Sequence, residues 1–478
     1  MLISDLYALY NRYSVITTDS RDCPYGSIFF ALKGESFDGN AFAGKALQSG
    51  CVYAVVDNVD VAGNSCILDI NSSKIDVNAR KNVVMLDRCI LRIIKVDDVL
   101  TTLQQLACLH RKTLGIPVIG ITGTNGKTTT KELTAAILSK KYKTLSTEGN
   151  LNNHIGVPLT LLKLTHEHEI AVVEMGANHP GEIRDLANIA LPDYGLITNV
   201  GYAHLEGFGS FEGVLRTKGE LYDYIREHEG KVFIDKDNKD LSGIAERLVG
   251  ITYREDERLD GITYGKTECL DRITYGVDSE GEQPFISGKI SQSSRFLSFT
   301  WNYAGLQHKV TTQLVGDYNL SNVLAAISIG VHFDVSPEQI NDAVANYIPT
   351  NNRSQFKKTE HNELIIDAYN ANPSSMRAAL ENFASTPVNK KAVILGDMRE
   401  LGEKSEELHS EILKLAETSG FEKIMLCGEQ FSAIGKKHLC FTSVDIFGEF
   451  LEENPLHGYQ ILIKGSHGVH LERIINKL

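Results

Sequence analysis

Short β-branched runs alternate along this chain with stretches whose apolar residues recur at helical spacing, the pattern of an α/β protein. In the first part, residues 26–32 and 52–56 read as strands. Residues 41–49 read as a helix between them, and residues 33–39 as a loop rich in turn formers. The polar stretch 58–91, with irregular apolar patches, reads as an insertion or an extended hairpin. A strand over 116–121 and a helix over 127–139 come next. Strands over 170–175, 194–199 and 231–234 follow with helices between, which predicts a mostly parallel sheet under covering helices. Beyond residue 248 the runs shorten. Ile-Thr-Tyr recurs at Ile251, Ile262 and Ile273, too few copies for a repeat fold, and predicts strands of an antiparallel edge before a helix near 319–331. The last part alternates again, with strands over 364–367, 392–395, 423–427 and 460–464 and helices over 374–383 and 405–418. It has the shape of a dinucleotide-binding fold without the glycine fingerprint. Three α/β domains are expected, at 1–109, 110–347 and 348–478: a small first domain, a central domain with a mostly parallel sheet, and a Rossmann-like last domain.

Composition narrows the picture. The 478 residues fit roughly two to four domains. The net charge of −13 argues against a nucleic-acid partner held by bulk electrostatics. No apolar run is long enough to span a membrane, and the N-terminus lacks the basic start and apolar core of a signal peptide, so a cytoplasmic protein without membrane insertion is expected. The eight cysteines include no Cys-x-x-Cys pair, which argues against zinc and for reduced thiols.

The candidate chemistry begins at Gly120-Ile-Thr-Gly-Thr-Asn-Gly-Lys-Thr-Thr-Thr130, between a strand and a helix. Backbone N–H groups of such a turn and of a helix N-terminus face anionic oxygens, Lys127 can reach outer phosphates, and Thr128 can offer a hydroxyl to Mg²⁺. The loop is irregular, because Ile121 stands where the general pattern has glycine. Glu174 ends a buried-type strand on the crevice side. It reads either as a ligand for Mg²⁺ against the β and γ phosphates or as a strand-end acid in a surface ion pair. His204 reads as a second metal ligand or as a surface residue. Lys218 reads as a solvated helix lysine, since its cation would repel Mg²⁺. Asp367, in Asp367-Ala-Tyr-Asn-Ala-Asn-Pro373, is a turn residue or a ribose partner, and Lys464-Gly-Ser-His-Gly468 is a turn or an anion site. His166 and His168 lie in a polar loop and read as solvated surface.

Together, Gly123-Thr-Asn-Gly-Lys-Thr128, Val173-Glu-Met-Gly176, Asn199-Val-Gly-Tyr-Ala-His204 and Lys218-Gly-Glu220 resemble the Mur ligase family, ATP-dependent amide ligases of peptidoglycan precursor synthesis. The resemblance runs from about residue 17 to the C-terminus. Asp19-Ser-Arg21 with Phe29-Phe-Ala-Leu-Lys-Gly34, the segment from Asp367 to Met376, and Leu395-Gly-Asp-Met-Arg-Glu-Leu-Gly-Glu403 point within the family to the branch that adds D-Ala-D-Ala to UDP-N-acetylmuramoyl-tripeptide. The Asp-Asn-Pro-Arg motif of the diaminopimelate-adding branch is absent. Another Mur-type ligase, folylpolyglutamate synthase, or a nucleotide-binding module without turnover are the alternatives.

The resemblance implies roles residue by residue. Gly123, Thr124, Asn125, Gly126, Lys127, Thr128 and Thr129 would bind ATP. Thr128, Glu174, His204 and a carbamylated Lys218 would hold Mg²⁺, two ions in all, with Lys127, Glu174, His204 and Lys218 carrying catalysis. A carbamate is an anion, which removes the repulsion noted above. Asn319 and Asn322 match an adenine-side segment, and Arg353 and Asp367 match nucleotide contacts from the last domain. Ser20, Arg21, Lys33, Thr147, Asn150, Asn152, Asn153, Asn370, Asn372 and Lys464 would meet the UDP-muramoyl-tripeptide or the D-Ala-D-Ala. Two positions depart from the pattern: Ala368 replaces a second acid, and His467 stands where arginine is common. The enzyme is expected to act as a monomer.

Overall fold

Strands buried on both faces are written as near-continuous apolar runs, as in Ile-Ala-Val-Val at the start of Ile170–Glu174. All five residues of the strand Ile170–Glu174 are buried, as are all five of Val118–Thr122. The computed structural model describes residues 2–62, 67–69, 92–247, 271–277, 284–292 and 295–478. It forms two compact units, one of Met1–Pro117 with Asn150–Glu169 and Asp185–Leu191, the other of the remaining segments.

The first unit carries a parallel five-stranded sheet in the order Ile16–Thr17, Ile28–Phe30, Tyr53–Val56, Ile93–Lys95, Ile67–Asp69. Phe29, Ala31, Ala46, Leu47, Ala54 and Ile93 pack its core. The helix Val99–Leu114 starts on Asp98, whose carboxylate accepts the Thr101 N–H at 2.6 Å. The helix Ile3–Tyr13 is tied down by Tyr10, whose hydroxyl donates to the Leu162 carbonyl at 2.5 Å.

The second unit contains a nine-stranded sheet in the order Leu306–Val315, Phe296–Tyr303, Ile286–Gln292, Asp271–Val277, Lys231–Asp235, Tyr194–Ile197, Val118–Thr122, Ile170–Glu174, Thr144–Ser146. The helices Lys127–Leu138 and Leu320–His332 contribute Leu133, Ile137, Val323 and Ile327 to a core that also holds Trp301, Phe299 and Phe233. A six-stranded sheet follows in the order Gln355–Lys358, Glu363–Asp367, Gln460–Lys464, Lys391–Gly396, Lys423–Cys427, Leu439–Phe441, parallel except at its first pair.

The expected antiparallel edge needs one correction. The strand Asp271–Val277, which carries Ile273, pairs in parallel on both sides. Its Tyr275 is fully buried, so this is an interior strand, and antiparallel pairing begins one strand later. Ile251, Ile262 and residues 70–91 of the polar stretch lie outside the described residues. Among the described residues, no helix is long and apolar enough to cross a membrane.

Candidate active site

The strand Val118–Thr122 delivers the chain to the phosphate-type loop. Gly123 (φ 139°) and Gly126 (φ 78°) then turn it in backbone conformations that side chains disfavour. A Cβ at Gly123 would drive into the Thr198 hydroxyl, and one at Gly126 into the Asn322 amide. Gly126 is also the N-cap of the helix Lys127–Leu138 and brings no capping side chain. The first-turn N–H groups are thus left without a side-chain cap, as an anion cradle requires. Lys127 folds back onto this loop, its Nζ donating to the Gly123 and Thr124 carbonyls at 2.8 and 3.1 Å. Enclosure lowers its pKa, with Glu174 working against that shift and Arg353 adding to it.

Thr128 and Glu174 are buried, at 3% and 1% exposure. The Glu174 backbone is fixed by Thr147, whose hydroxyl accepts its N–H at 2.9 Å, while the Thr147 carbonyl accepts from Lys131 Nζ at 2.7 Å. Lys218 lies inside the helix Phe211–Glu227 and is 2% exposed, not solvated. Its Nζ faces the Phe208 ring at 5.3 Å and donates to the Ala177 carbonyl at 3.4 Å. Burial, helped by the Lys127 charge, lowers its pKa to about 7. His204 has a left-handed backbone (φ 51°), meets Phe208 edge to face at 6.3 Å, and presents Nδ1 to the Glu400 carboxylate. Among the described residues, no three His, Cys, Asp or Glu side chains converge to hold a metal by themselves.

The last sheet brings its strand ends to the same loop. Asn372 Nδ2 donates to Asn125 Oδ1 at 2.7 Å, and Asn125 Nδ2 donates to Ser374 Oγ at 3.0 Å. From the other side, Thr198 Oγ1 and Asn199 Nδ2 donate to the Asn125 carbonyl at 2.6 and 3.0 Å. The Arg353 guanidinium stacks on Tyr369 at 3.8 Å. Lys464 is buried and donates to Asp367 Oδ2 at 2.6 Å. Asn370 is exposed, and its carbonyl faces Lys464 at 3.5 Å. Asn319 and Asn322 are buried in a network: Asn322 donates to Asn319 at 3.0 Å, Asn319 to Ser354 at 3.2 Å, and Thr130 to Asn322 at 3.3 Å.

Other predicted residues lie in the first unit. Arg21 pairs with Asp19 at 2.7 Å and holds that carboxyl at about 2, both side chains exposed, with Ser20 between them. Lys33 pairs with Asp57 at 2.8 Å. Asn150 and Asn152 lie in the loop before the helix Gly156–Leu161, and Asn153 Oδ1 accepts the Ile155 and Gly156 N–H groups at 3.1 and 2.9 Å. A cleft of about 690 Å³ opens in this unit beside Thr17, Thr18 and Asp19, lined also by Tyr7, Tyr10 and His110. Reading the chain alone missed Thr198, Phe208, Ser354, Ser374 and Glu400. Asn199 and Glu400 lay within the motifs named above, but the partners that give these residues their roles are distant in sequence.

Known proteins resemble this one throughout. The family described as Mur ligase middle domain matches residues 121–330, the Mur ligase glutamate ligase domain matches 352–444, and the Mur ligase family catalytic domain matches 12–111. The UDP-N-acetylmuramoyl-tripeptide–D-alanyl-D-alanine ligase of Bacillus subtilis (strain 168) is 33% identical over 474 residues, covering 97% of this chain and 92% of that protein. A crystal structure of MurF from Acinetobacter baumannii superposes with a TM-score of 0.78 at 30% identity, over 96% of this chain and 92% of that one. That of the MurF ligase from Thermotoga maritima in complex with ADP gives 0.76 at 25% identity, over 97% and 96%.

Proposed function

The chain belongs to the Mur ligase family, with its three-domain α/β fold, and from that premise we propose that it joins D-Ala-D-Ala to a UDP-N-acetylmuramoyl-tripeptide at the expense of ATP. The observation that carries this reading is the bridge from Asn125 to Asn372 and Ser374, which makes the phosphate loop and the crevice of the last sheet one site. The division of labour proposed is 1–109 for the UDP end, 110–347 for ATP and 348–478 for completing the ligase site, in a monomer of the cytoplasm. Ser20 and Arg21, which follow the cleft residue Asp19 in the chain, and Lys33, paired with Asp57, bind the UDP end. The loop from Thr147 to Asn153 takes the muramoyl peptide, Thr147 acting through Glu174. Asn370, Asn372 and Lys464 border the incoming dipeptide.

The residues fit ATP and Mg²⁺. The uncapped helix start suits phosphate, and one buried carboxylate with a hydroxyl is the hard-oxygen set that Mg²⁺ shares with phosphates. Thr128 and Glu174 would hold one ion, and His204 with a carbamate on Lys218 a second. A lysine with a pKa near 7 is half neutral at neutral pH, the form that accepts CO₂. When bound, Mg²⁺ supplies positive charge to the phosphate oxygens. Lys127 leaves the loop carbonyls for the γ-phosphate and offsets the charge that develops when the peptide carboxylate attacks phosphorus and ADP departs. The dipeptide amine then attacks the acyl phosphate carbon, loses a proton, and expels inorganic phosphate as the amide forms. Asn319 and Asn322 support the adenine side by holding the loop and Ser354, while Arg353 and Asp367 approach the nucleotide from the last domain. Alignment of the reactants supplies much of the rate. The test is ADP release measured with the UDP-tripeptide and each candidate amine. Turnover is expected with D-Ala-D-Ala, and background rates with it alone among amines would end this reading. The N-terminal UDP-type segment disfavours a folate substrate, and the presence of Lys127, Glu174 and His204 disfavours a module without turnover.

A further inference from the structure

The motif from Leu395 to Glu403 has no role in the steps above, yet it is among the most firmly held loops of the last sheet. Asp397 accepts the N–H groups of Gln430 and Phe431, each at 2.9 Å. The Met398 N–H donates to His409 Nε2 at 3.0 Å, while His409 Nδ1 faces the Ser405 carbonyl at 2.7 Å, which assigns the proton of that fully buried ring to Nδ1. The Arg399 N–H donates to Ser466 at 3.2 Å, and its guanidinium donates to the Gly468 carbonyl at 2.9 Å. Met398 and Leu401 are buried on either side. Between these anchors Glu400 is held at φ 63°, a backbone conformation that side-chain-bearing residues disfavour. Its carboxylate meets Nδ1 of His204, itself at φ 51°; no hydrogen bond is aligned on that buried nitrogen, and the carboxylate is the acceptor in contact with it. An incidental surface ion pair is made by flexible side chains on relaxed backbone and contributes little. Here two strained residues, one from each sheet of the second unit, meet at a fixed point.

We infer that Glu400 is a positioning residue for the ligase reaction: it accepts the Nδ1–H of His204, fixes the ring, and leaves Nε2 as the lone-pair nitrogen for the Mg²⁺ that His204 is proposed to hold. A carboxylate behind a metal-binding imidazole sets its tautomer and orientation, and removing such a partner lowers metal affinity about 10–100-fold. Because Glu400 comes from the last sheet and His204 from the loop after the strand Tyr194–Ile197, the imidazole is set only when the two parts of the unit are joined as they are here. Phe208 meets the ring edge to face at 6.3 Å and also faces the Lys218 ammonium at 5.3 Å, so the two side chains share one neighbour.

The inference rests on the reading of His204 given under Proposed function, and its first test is independent of turnover. Full-length protein labelled with ¹⁵N-histidine is observed by long-range ¹H–¹⁵N correlation without nucleotide or metal, the His204 signals being those lost in His204→Asn. The wild type is expected to show the Nδ1–H tautomer. Glu400→Ala should move the population to Nε2–H, and Glu400→Gln, whose amide oxygen still accepts, should retain Nδ1–H. An unchanged tautomer in Glu400→Ala overturns the inference. The second test is Mn²⁺ binding to the protein–ATP complex by electron paramagnetic resonance. Affinity should fall about tenfold in Glu400→Ala, recover in Glu400→Gln, and stay at the wild-type value in the exposed neighbour Glu403→Ala. Equal affinity in wild type and Glu400→Ala overturns the inference even where ligase activity is intact, whereas a normal tautomer response in a protein that releases no ADP overturns the ligase reading alone.

Discussion

Replacing Lys218 with methionine should stabilise the folded protein and do so in a pH-dependent way. A lysine whose pKa is about 7 in the folded state and 10.5 when exposed binds fewer protons folded than unfolded between those two values. Stability therefore rises with pH across that window and is flat below it. The side chain is 2% exposed, so solvent screening does not dilute the effect. At 1.36 kcal/mol for each unit of pKa, the charged form costs about 5 kcal/mol below pH 7, about 3 kcal/mol near pH 8 and about 1 kcal/mol or less near pH 10. Lys218→Met removes that cost with a side chain of similar length, so the variant should exceed wild type by about those amounts. Trp301 is the only tryptophan and is buried in the core of the nine-stranded sheet, so urea unfolding followed by its fluorescence reads this part of the molecule directly. Carbamylation adds a signature: bicarbonate near pH 8 should raise the unfolding midpoint of wild type and leave Lys218→Met unmoved. A stability difference that does not change between about pH 6 and pH 10, or bicarbonate acting equally on both proteins, would refute the idea that burial of this amine is what lowers its proton affinity.

Lys127→Ala should lower kcat/KM for ATP by about 10²–10³-fold in the ADP-release assay, the usual effect of deleting one donor to developing charge. Gly126→Ala, at φ 78° with Asn322 in the way of a Cβ, should destabilise by about 1–3 kcal/mol in urea and raise the KM for ATP. Asp367→Ala leaves the Lys464 ammonium buried without its carboxylate and should destabilise by about 3–5 kcal/mol, with much of the loss recovered in Asp367→Leu with Lys464→Met. Asn125→Ala removes the bonds to Asn372 and Ser374 and should lower stability by about 1–2 kcal/mol, measured by the same unfolding experiment.

What the chain reveals unaided depends on how local the signal is. The phosphate-type loop was legible because its glycines, lysine and hydroxyl are contiguous between a buried strand and a helix. Glu174 was legible because the strand Ile170–Glu174 announces its own end. The pairing of the Asp271–Val277 strand was not, because alternation along a strand is the same whether its neighbours run parallel or antiparallel. The helix Val99–Leu114 buries Leu103, Leu106, Ala107 and His110 on one face, a helical pattern that was there to be found but carried no chemistry to draw attention to it. Lys218 read as a solvated lysine because its burial comes from Phe208 and Ala177, neither of which its own helix reveals. The adenine-side asparagines illustrate the converse. Asn319 and Asn322 match a motif for ligand contact, yet their amides hold Ser354 and the phosphate-loop helix. A motif records that a residue type is needed at a position without distinguishing contact from support.

Asn351, Asn352, Arg353 and Ser354 join the two sheets of the second unit, and the balance of forces on them bears on how the proposed site assembles. Asn352 and Ser354 both have left-handed backbone, at φ 51° and 47°, at a cost of about 1–3 kcal/mol each. Against this stand hydrogen bonds to the helix that carries Lys127 and to the segment before the helix Leu320–His332. Asn351 donates to Glu132 at 2.6 Å, Tyr347 donates to Glu132 at 2.5 Å, and Ser354 bonds Tyr318 at 3.0 Å and Asn319 at 3.2 Å. Backbone bonds add to these, from the Val315 N–H to the Ser354 carbonyl at 3.4 Å and from the Ala368 N–H to the Asn352 carbonyl at 2.9 Å, so at about 1–2 kcal/mol each the bonds outweigh the strain. The linker is thus held in place by bonds whose sum exceeds the backbone strain they maintain. Val315 and Phe296 of the nine-stranded sheet pack into the apolar cluster of the last sheet, so apolar contact holds the segment carrying Arg353 as well. Two of the linker hydrogen bonds end on Glu132, in the helix that carries Lys127, so the nucleotide binding proposed at the N-terminus of that helix would act on an element that holds the Arg353 segment in place.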